Sequence, residues 1–169
     1  MEMEIIQHLE DDAAKRVERI FSYILIINNR MQNAGEKLHD EISLKQWLLI
    51  AMAQTCKTEK TLTNIGNLMG CSRQNVKKLA LALEKGGFAR LKKGASNSTL
   101  IELTEKTKSY VDDIGPILAH SFELLFADFT EEELDLLFKL FVKLNNGIVR
   151  VEDYARDLLD HRAIKASLQ

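Results

Sequence analysis

The chain has little of what several protein classes require. Its 169 residues include one proline, two cysteines and eight glycines, and no apolar run approaches the length of a membrane span. Two cysteines do not make a disulfide framework, so we expect a reducing compartment and a cytoplasmic protein. The acidic start, Met-Glu-Met-Glu, differs from a secretory signal, which has basic residues before an apolar segment. We therefore predict no association with membranes.

The sequence also lacks the motifs of common enzymes and metal sites. It has no phosphate-cradling glycine loop, no nucleophile elbow and no zinc-hydrolase motif. The four histidines are widely separated, and none has a close-spaced histidine or cysteine partner. Residues 39–41, with the sequence His-Asp-Glu, form the one local group of metal-binding side chains, and we interpret them as a solvated connector. We predict that the protein is not an enzyme and holds no metal or cofactor.

Apolar and charged residues make up 46% and 28% of the chain. This length and composition suffice for one ordinary globular core. Signals for β-strands occur only near residues 88–103. The predicted fold class is therefore mainly α, with one small ribbon.

The net charge of −2 conceals two segments of opposite sign. Between Arg73 and Lys93, seven basic residues stand against Glu84 alone, which gives a net charge of +6. Between Asp112 and Asp160, twelve acidic residues stand against four basic ones, which gives a net charge of −8. An acidic body with one basic face is typical of a protein that contacts nucleic-acid phosphates only at its reading element.

Two short helices joined by a tight turn are predicted within residues 61–85. Thr61 and Ser72 are suited to cap the two helices, and Gly70 is suited to the left-handed residue that ends the first. One face of the second helix is apolar, with Val76, Leu79, Ala80 and Leu83. The opposite face carries Gln74, Lys77, Lys78 and Leu81.

A two-stranded ribbon is predicted directly after the second helix. Gly86 and Gly87 end that helix, residues 88–91 and 99–103 alternate as strands do, and residues 92–98 form a polar loop. A helix with an apolar back and a polar, basic front, followed by such a ribbon, is the arrangement of a winged helix-turn-helix. Such a helix is typical of proteins that read the major groove of DNA.

Three segments of this region are similar to those of a known family. They are TLTNIGNLMGCSRQNV at 61–76, LEKGGF at 83–88 and IELTEK at 101–106. On these segments the sequence resembles the multiple-antibiotic-resistance regulator (MarR) family of bacterial transcription factors, and the resemblance extends more loosely from about residue 15 to about residue 145. The family carries an aspartate and one or two arginines at the wing, where this chain has Ala95, Ser96 and Asn97.

The resemblance implies an obligate homodimer that binds a near-palindromic site in double-stranded DNA. The second helix is then expected in the major groove and the wing in the adjacent minor groove. The resemblance also implies a transcriptional regulator, commonly a repressor, that is often released by a small-molecule effector or an oxidant.

The residues of the reading helix and the wing divide into two groups by their chemistry. We assign base contacts to Gln74 and Lys77, because glutamine can pair with adenine and lysine with guanine. Phosphate contacts are assigned to Arg73, Lys78, Arg90, Lys92 and Lys93. The predicted DNA-binding set is completed by Ser72, Asn75 and Asn97.

Helical segments are predicted on both sides of the winged region. In the first, near-heptad apolar spacing indicates a partner helix, through Leu9, Ala13, Val17, Ile20, Ile24, Ile27 and Met31. We predict an N-terminal dimerisation helix and connector at 1–42, a winged helix-turn-helix DNA-binding domain at 43–104 and a C-terminal helical dimerisation region at 105–169.

Local signals also predict where the flanking helices begin and end. Ser43 with Gln46 forms a capping box, and Thr130 with Glu133 forms another. The helix after Ser43 is expected to turn inward Leu44, Trp47, Leu48, Ala51 and Met52. A kink or interruption is predicted at Gly115-Pro116. A stop is predicted at Asn146-Gly147, with a separate last helix from Val151 to about Ala166.

Two further sites are hypotheses. An effector cavity lined by Phe21, Tyr23, Trp47 and Met52 is one, although aromatic residues at helical spacing are more often core. A redox role for Cys56 or Cys71 is the other. Cys71 precedes a helix N-terminus, which favours a thiolate, but we interpret it as a small side chain packed in the core.

Two functions therefore remain open. The first is a dimeric DNA-binding transcriptional regulator. The second is a winged-helix protein-interaction module, or an antagonist of another regulator, that does not bind DNA. The salt dependence of DNA affinity separates the two hypotheses, because every phosphate contact releases condensed counterions.

Overall fold

The computed structural model of the chain describes residues 15–167. In that range the elements are α1 (Arg16–Gly35), α2 (Leu44–Thr55), α3 (Leu62–Met69), α4 (Arg73–Lys85), β1 (Ala89–Lys93), β2 (Thr99–Leu103), α5 (Glu105–Leu125) and α6 (Glu131–Ser167). The predicted class, mainly α with one two-stranded ribbon, is confirmed. The chain divides into two compact units, one that ends at residue 120 and one that begins at residue 121.

The core of the first unit lies among α2, α3, α4, the ribbon and the first part of α5. Its largest fully buried side chains include Leu49, Ile65, Leu83 and Phe88. Removing each of these from water contributes about 1.5–3 kcal/mol to folding. This core therefore determines where α4 and the ribbon lie.

The inward face predicted for α2 is confirmed only in part, because Trp47 and Met52 pack against the core but are half-buried. The buried residues of this helix are Leu49, Ile50 and Ala53, whereas Leu48 is exposed. The helix is apolar on nearly every side, so the spacing of its apolar residues does not identify one face. The capping box at its start is confirmed, because the Ser43 hydroxyl accepts a hydrogen bond from the backbone N–H of Gln46 at 3.2 Å.

The two strands of the ribbon pair antiparallel. Ala89 lies opposite Leu103, and Lys93 lies opposite Thr99. Lys92 and Lys93 were predicted in the loop, but pairing with β2 extends β1 to include both. On the other side of β2, the backbone N–H of Ile101 donates to the carbonyl of Lys60 at 2.9 Å, which ties the ribbon to the start of α3.

The connector between α1 and α2 is anchored by His39. Residues 39–41 were interpreted as solvated, and this is wrong for His39, whose side chain is only 8% exposed. Its Nδ1 lies 2.8 Å from the hydroxyl oxygen of Tyr110 on α5, and its ring centroid lies 5.9 Å from that of Trp47. Its Nε2 is buried and has no hydrogen-bond partner among the described residues.

We expect mild acid to destabilise the protein through His39. Burial lowers the pKa of His39, while the negative charges of Glu36 and Asp40 act in the opposite direction. Below an unfolded-state pKa of about 6.5, the unfolded chain binds a proton that the folded chain resists, so stability falls as the pH falls toward the folded-state pKa. Urea midpoints at about pH 7.5 and about pH 5.5 should differ more for the wild type than for His39→Gln. His161→Gln, at an exposed position, is the control and should match the wild type. Equal acid sensitivity of His39→Gln and the wild type would contradict the prediction.

Helix α5 continues through Pro116, where the sequence predicted a kink or an interruption. The predicted interruption is wrong. Ile114 and Leu118 are buried on either side of the proline, so packing stabilises the helical backbone across a position that lacks an N–H donor.

Helix α1 presents most of its predicted apolar seam to solvent within a single chain. Leu9 and Ala13 of that seam lie outside the described residues. In the described part, Ile24 is half-buried. The exposed members are Val17, Ile20, Ile27 and Met31. The partner helix that this seam indicates stays a prediction.

The second unit is formed by the end of α5 and by the 37-residue helix α6. The capping box that begins α6 is confirmed, because Thr130 and Glu133 exchange side-chain to backbone hydrogen bonds of 2.9 and 3.2 Å. The predicted stop at Asn146-Gly147 is wrong, since α6 continues to Ser167 and includes the separate last helix predicted from Val151. Gly147 is not among the glycines with positive φ, so it does not adopt the left-handed conformation of a helix-ending glycine.

Large apolar side chains of α6 are exposed along much of its length. They include Leu136, Phe138, Leu140, Phe141, Val142, Leu144, Ile148, Val149, Val151, Leu158 and Leu159. In the part of the chain that the structure describes, no helix combines the length and the apolar character needed to cross a membrane.

Candidate nucleic-acid interface

Side-chain caps begin both helices of the turn, as predicted. The Thr61 hydroxyl accepts a hydrogen bond from the backbone N–H of Asn64 at 3.1 Å. The Ser72 hydroxyl does the same for the backbone N–H of Asn75 at 3.3 Å. Each bond satisfies an amide that has no partner within its own helix, so both helices begin at defined residues.

Two glycines allow the chain to reverse sharply between α3 and α4. Gly70 has φ 63° and ψ 34°, which is the predicted left-handed conformation. The backbone N–H of Cys71 donates to the carbonyl of Gly66 at 2.9 Å. A β-carbon at Gly66 would lie only 2.8 Å from the backbone carbonyl oxygen of Cys71. The turn can therefore pack closely against α3 because residue 66 has no side chain.

We expect Gly66→Ala to destabilise the protein by roughly 1 kcal/mol. Overpacking against a backbone atom costs about 1–3 kcal/mol, and the better helix propensity of alanine offsets about 1 kcal/mol of that. Gly115→Ala is the matched control, because nothing lies within 4 Å of a β-carbon there and only the propensity gain remains. Urea denaturation of both variants measures the difference. A Gly66→Ala protein as stable as Gly115→Ala would show that the turn does not need the glycine.

Helix α4 has the two faces that the sequence predicted. Val76, Ala80 and Leu83 are fully buried against the core. The opposite side, here called the reader face, is exposed and consists of Gln74, Lys77, Lys78 and Leu81. Because the buried side fixes the helix, the reader face has one orientation relative to the rest of the first unit.

All ten residues of the predicted DNA-binding set are exposed. They are Ser72, Arg73, Gln74, Asn75, Lys77, Lys78, Arg90, Lys92, Lys93 and Asn97. Six lie on α4 or its cap, and the other four lie on the ribbon. An exposed cationic surface of this kind is suited to phosphate oxygens, which bind lysine and arginine without regard to base sequence.

Glu84 joins the reading helix to the wing, a role that sequence reasoning missed. Its Oε1 accepts a hydrogen bond of 2.7 Å from the backbone N–H of Leu91 on β1. The signal in the sequence was that Glu84 is the one acidic residue between Arg73 and Lys93. An acid that accepts this bond holds the wing strand at a fixed position beside α4.

Lys92, one of the residues assigned to a phosphate contact, forms an ion pair across the ribbon. The ammonium nitrogen of Lys92 lies 2.5 Å from a carboxylate oxygen of Glu102. Glu102 itself lies directly opposite Arg90 in the ribbon. The hydrogen bond and charge of Lys92 lower the pKa of Glu102, and Arg90 adds to this effect. Both partners of the pair are about half exposed, so Lys92 still reaches solvent, but Lys93 is the simpler candidate for a phosphate contact.

The wing tip is a five-residue loop with a strained backbone. Ser96 and Asn97 both have positive φ, at 51° and 60°. The loop is closed by two backbone hydrogen bonds of 2.9 Å, from Gly94 to Ser98 and from Ser98 to Ala95. A short neutral amide at its tip offers less to a narrow, negatively charged minor groove than an arginine does, so the wing contact is expected to depend on lysines at its base.

The structure does not bring the four proposed effector residues together in a described cleft. Phe21 is exposed, whereas Tyr23, Trp47 and Met52 are half-buried. Two clefts of about 570 and 420 Å³ are described in the first unit, and neither is lined by any of the four. The smaller cleft is lined by Thr55, Cys56, Lys57, Thr58, Asn64, Asn67 and Leu68.

Neither cysteine is in a disulfide bond. Cys71 is half-buried and packs against the core, as interpreted from the sequence. The Cys56 thiol lies 3.5 Å from the carbonyl oxygen of Thr58. A redox role for either residue stays a hypothesis.

The sequence matches no protein-family profile and no curated protein. Solved structures do resemble the fold. A MarR/EmrR family transcriptional regulator from Acinetobacter sp. ADP1 is 18% identical, with a TM-score of 0.72 over 79% of this chain and 96% of that chain. The chain has the MarR fold.

Two more proteins with the MarR fold were solved with bound partners. MepR from S. aureus, in a DNA complex, is 18% identical, with a TM-score of 0.66 over 76% of this chain and 96% of that chain. An organohalide-sensing regulator with bound 2,4-dichlorophenol is also 18% identical, with a TM-score of 0.69 over 83% of this chain and 84% of that chain. Because a fold does not determine function, the function of this chain depends on what its own residues can bind.

Proposed function

We propose that the protein is a homodimeric, DNA-binding transcriptional regulator of the MarR type. It acts as a repressor at a near-palindromic operator and is released by a small-molecule effector. The observation that carries this proposal is the exposed, basic reader face on a helix whose other side is fully buried. Together with the capped turn and the adjoining ribbon, it has the form of a helix that enters the major groove.

The dimeric state is supported by apolar side chains on the outside of single chains. On α1 these include Val17, Ile20 and Ile27, and on α6 they include Phe141 and Ile148. Exposed apolar side chains in this number on one helix are typical of an interface between proteins. A two-fold dimer presents two reading helices to two half-sites, which explains why a near-palindromic operator is expected.

Release by an effector is supported by side chains on α1 and at the edge of the core. Trp47 and Met52 are half-buried at the edge of the core, and Phe21 and Tyr23 lie on α1. Aromatic and sulfur-containing side chains of this kind are typical of pockets for small apolar ligands. The proposed effector is therefore a small molecule with an apolar or aromatic body.

The test of DNA binding is its dependence on salt. We expect the logarithm of the affinity for a duplex to fall linearly with the logarithm of the salt concentration, by about 0.9 for each phosphate neutralised. Lys78→Glu should make this slope shallower. Lys139→Glu on α6, with the same change of charge, is the control and should leave the slope unchanged. The absence of DNA binding, or an affinity that does not change with salt, would favour the protein-interaction module instead.

A further inference from the structure

One large apolar side chain lies in the middle of the reader face. Leu81 is 46% exposed, although its neighbours on that face are Gln74, Lys77 and Lys78. It follows Lys77 by four residues and Lys78 by three, so the three side chains lie on the same side of α4. A surface that contacted only DNA phosphates would not need an apolar side chain at this position.

Packing in the core does not explain why residue 81 is a leucine. Val76, Ala80 and Leu83 form the buried side of α4 and are fully covered. Leu81 is five residues after Val76, which places it about 140° around the helix, on the far side from the core. A single exposed leucine is ordinary on a protein surface, but this one shares a face with the residues assigned to base contacts.

The major groove contains one apolar group that a leucine can contact. Among the four bases, only thymine presents a methyl group there, and the other edges present hydrogen-bond donors and acceptors. A leucine methyl packed against the thymine methyl removes apolar surface from water on both sides. The same leucine placed opposite cytosine or guanine would cover polar atoms that it cannot satisfy.

The spacing along α4 is compatible with contacts to separate base pairs. Gln74 and Leu81 are seven residues apart, which corresponds to about 10 Å along the helix axis. Base pairs follow one another at about 3.4 Å. The groove is inclined to the DNA axis, so a helix lying along it places Leu81 about two to three base pairs from the pair contacted by Gln74.

We infer that Leu81 is a specificity-determining residue that contacts the 5-methyl group of a thymine in each half-site. This inference rests on the proposed DNA-binding function and adds to it one apolar base contact, at a fixed distance from the amide and lysine contacts. Leu81 reads the methyl group itself, so the preference is for thymine over uracil as well as over cytosine.

Replacing thymine with deoxyuridine tests the inference, because this change removes the methyl group and leaves the base pair intact. The probe is the tightest-binding duplex recovered with the wild-type protein from a randomised library, with each thymine replaced in turn. One replacement, in one half-site, should weaken wild-type binding about fourfold, which corresponds to about 0.8 kcal/mol for one methyl group. Leu81→Ala should bind the thymine and deoxyuridine duplexes equally, and Leu81→Met should keep part of the difference.

Leu68→Ala is the matched control. Leu68 is also exposed in the first unit, but it lies on α3 and lines the smaller cleft, so this variant should respond to deoxyuridine as the wild type does. The inference is overturned if no deoxyuridine position weakens the wild type, or if Leu81→Ala keeps the full fourfold difference. Failure of the proposed function is distinct, since the wild type would then show no salt-dependent binding to any duplex.

Discussion

A protein with Phe141→Asp and Ile148→Asp should no longer form a dimer. The two residues belong to a heptad stripe on α6, with Leu134, Leu137, Phe141, Leu144, Ile148 and Val151 at alternating spacings of three and four, and Leu158 seven residues after Val151. Both are about half exposed in a single chain, so aspartate costs little there. Inside an interface, an uncompensated carboxylate costs about 3–5 kcal/mol. Sedimentation equilibrium should show dimer affinity reduced by at least a factor of about one hundred.

The control places the same residue type on the opposite side of the same helix. Lys139 and Asn146 lie two residues before Phe141 and Ile148, at heptad positions that face away from the stripe. Replacing both with aspartate adds more negative charge than the first variant does, and should leave the dimer intact. Circular dichroism shows whether each variant keeps its helix content. A stable dimer in the Phe141→Asp, Ile148→Asp variant would contradict the proposed interface.

The parts of the fold that the sequence predicted well are controlled by local chemistry. Thr61, Ser72 and Thr130 cap helices through hydrogen bonds to amides three residues away. Gly70 ends α3 through a backbone conformation that glycine adopts without strain. Interactions of such short range are visible in the order of residues, so the helix-turn-helix could be predicted without a structure.

Helix continuity could not be predicted from local signals alone. Gly147 and Pro116 are usual places for a helix to end, yet both lie inside helices. A glycine in a helix costs about 1 kcal/mol and a proline about 3 kcal/mol. At Pro116, the burial of Ile114 and Leu118 on the neighbouring turns offsets this cost, and that burial depends on where the helix lies in the fold.

Side-chain contacts between residues far apart in the chain also could not be predicted from the sequence. His39 and Tyr110 are 71 residues apart, and nothing near His39 indicated that its side chain would be buried. In the candidate interface, the ion pair of Lys92 with Glu102 depends on the register of β1 and β2. The sequence identified the cationic residues, and the structure shows which of them already have an acidic neighbour.

Lys77→Ala and Lys93→Ala should weaken DNA binding in two different ways. Lys77 lies on the reader face and is assigned to a base, so its loss should cost about 1–3 kcal/mol at one base pair, or roughly 5- to 150-fold in affinity for each half-site. The preference for that base pair should disappear with it. Lys93 lies at the end of β1 and is assigned to a phosphate, so its loss should weaken binding to all sequences by the same factor. Affinities of both variants for the selected duplex and for scrambled duplexes measure the difference.

The slope of the logarithm of DNA affinity against the logarithm of salt concentration, here the salt slope, is an independent test of the same two variants. Lys93→Ala should make the slope shallower by about 0.9 per subunit, because one phosphate contact is lost. Lys77→Ala should change the slope less, since a lysine on a base edge releases fewer counterions. Lys92→Ala is the less suitable comparison, because it would also leave Glu102 without its cationic partner. If Lys77→Ala weakened all sequences alike and Lys93→Ala removed a base preference, α4 would not be the element that reads the bases.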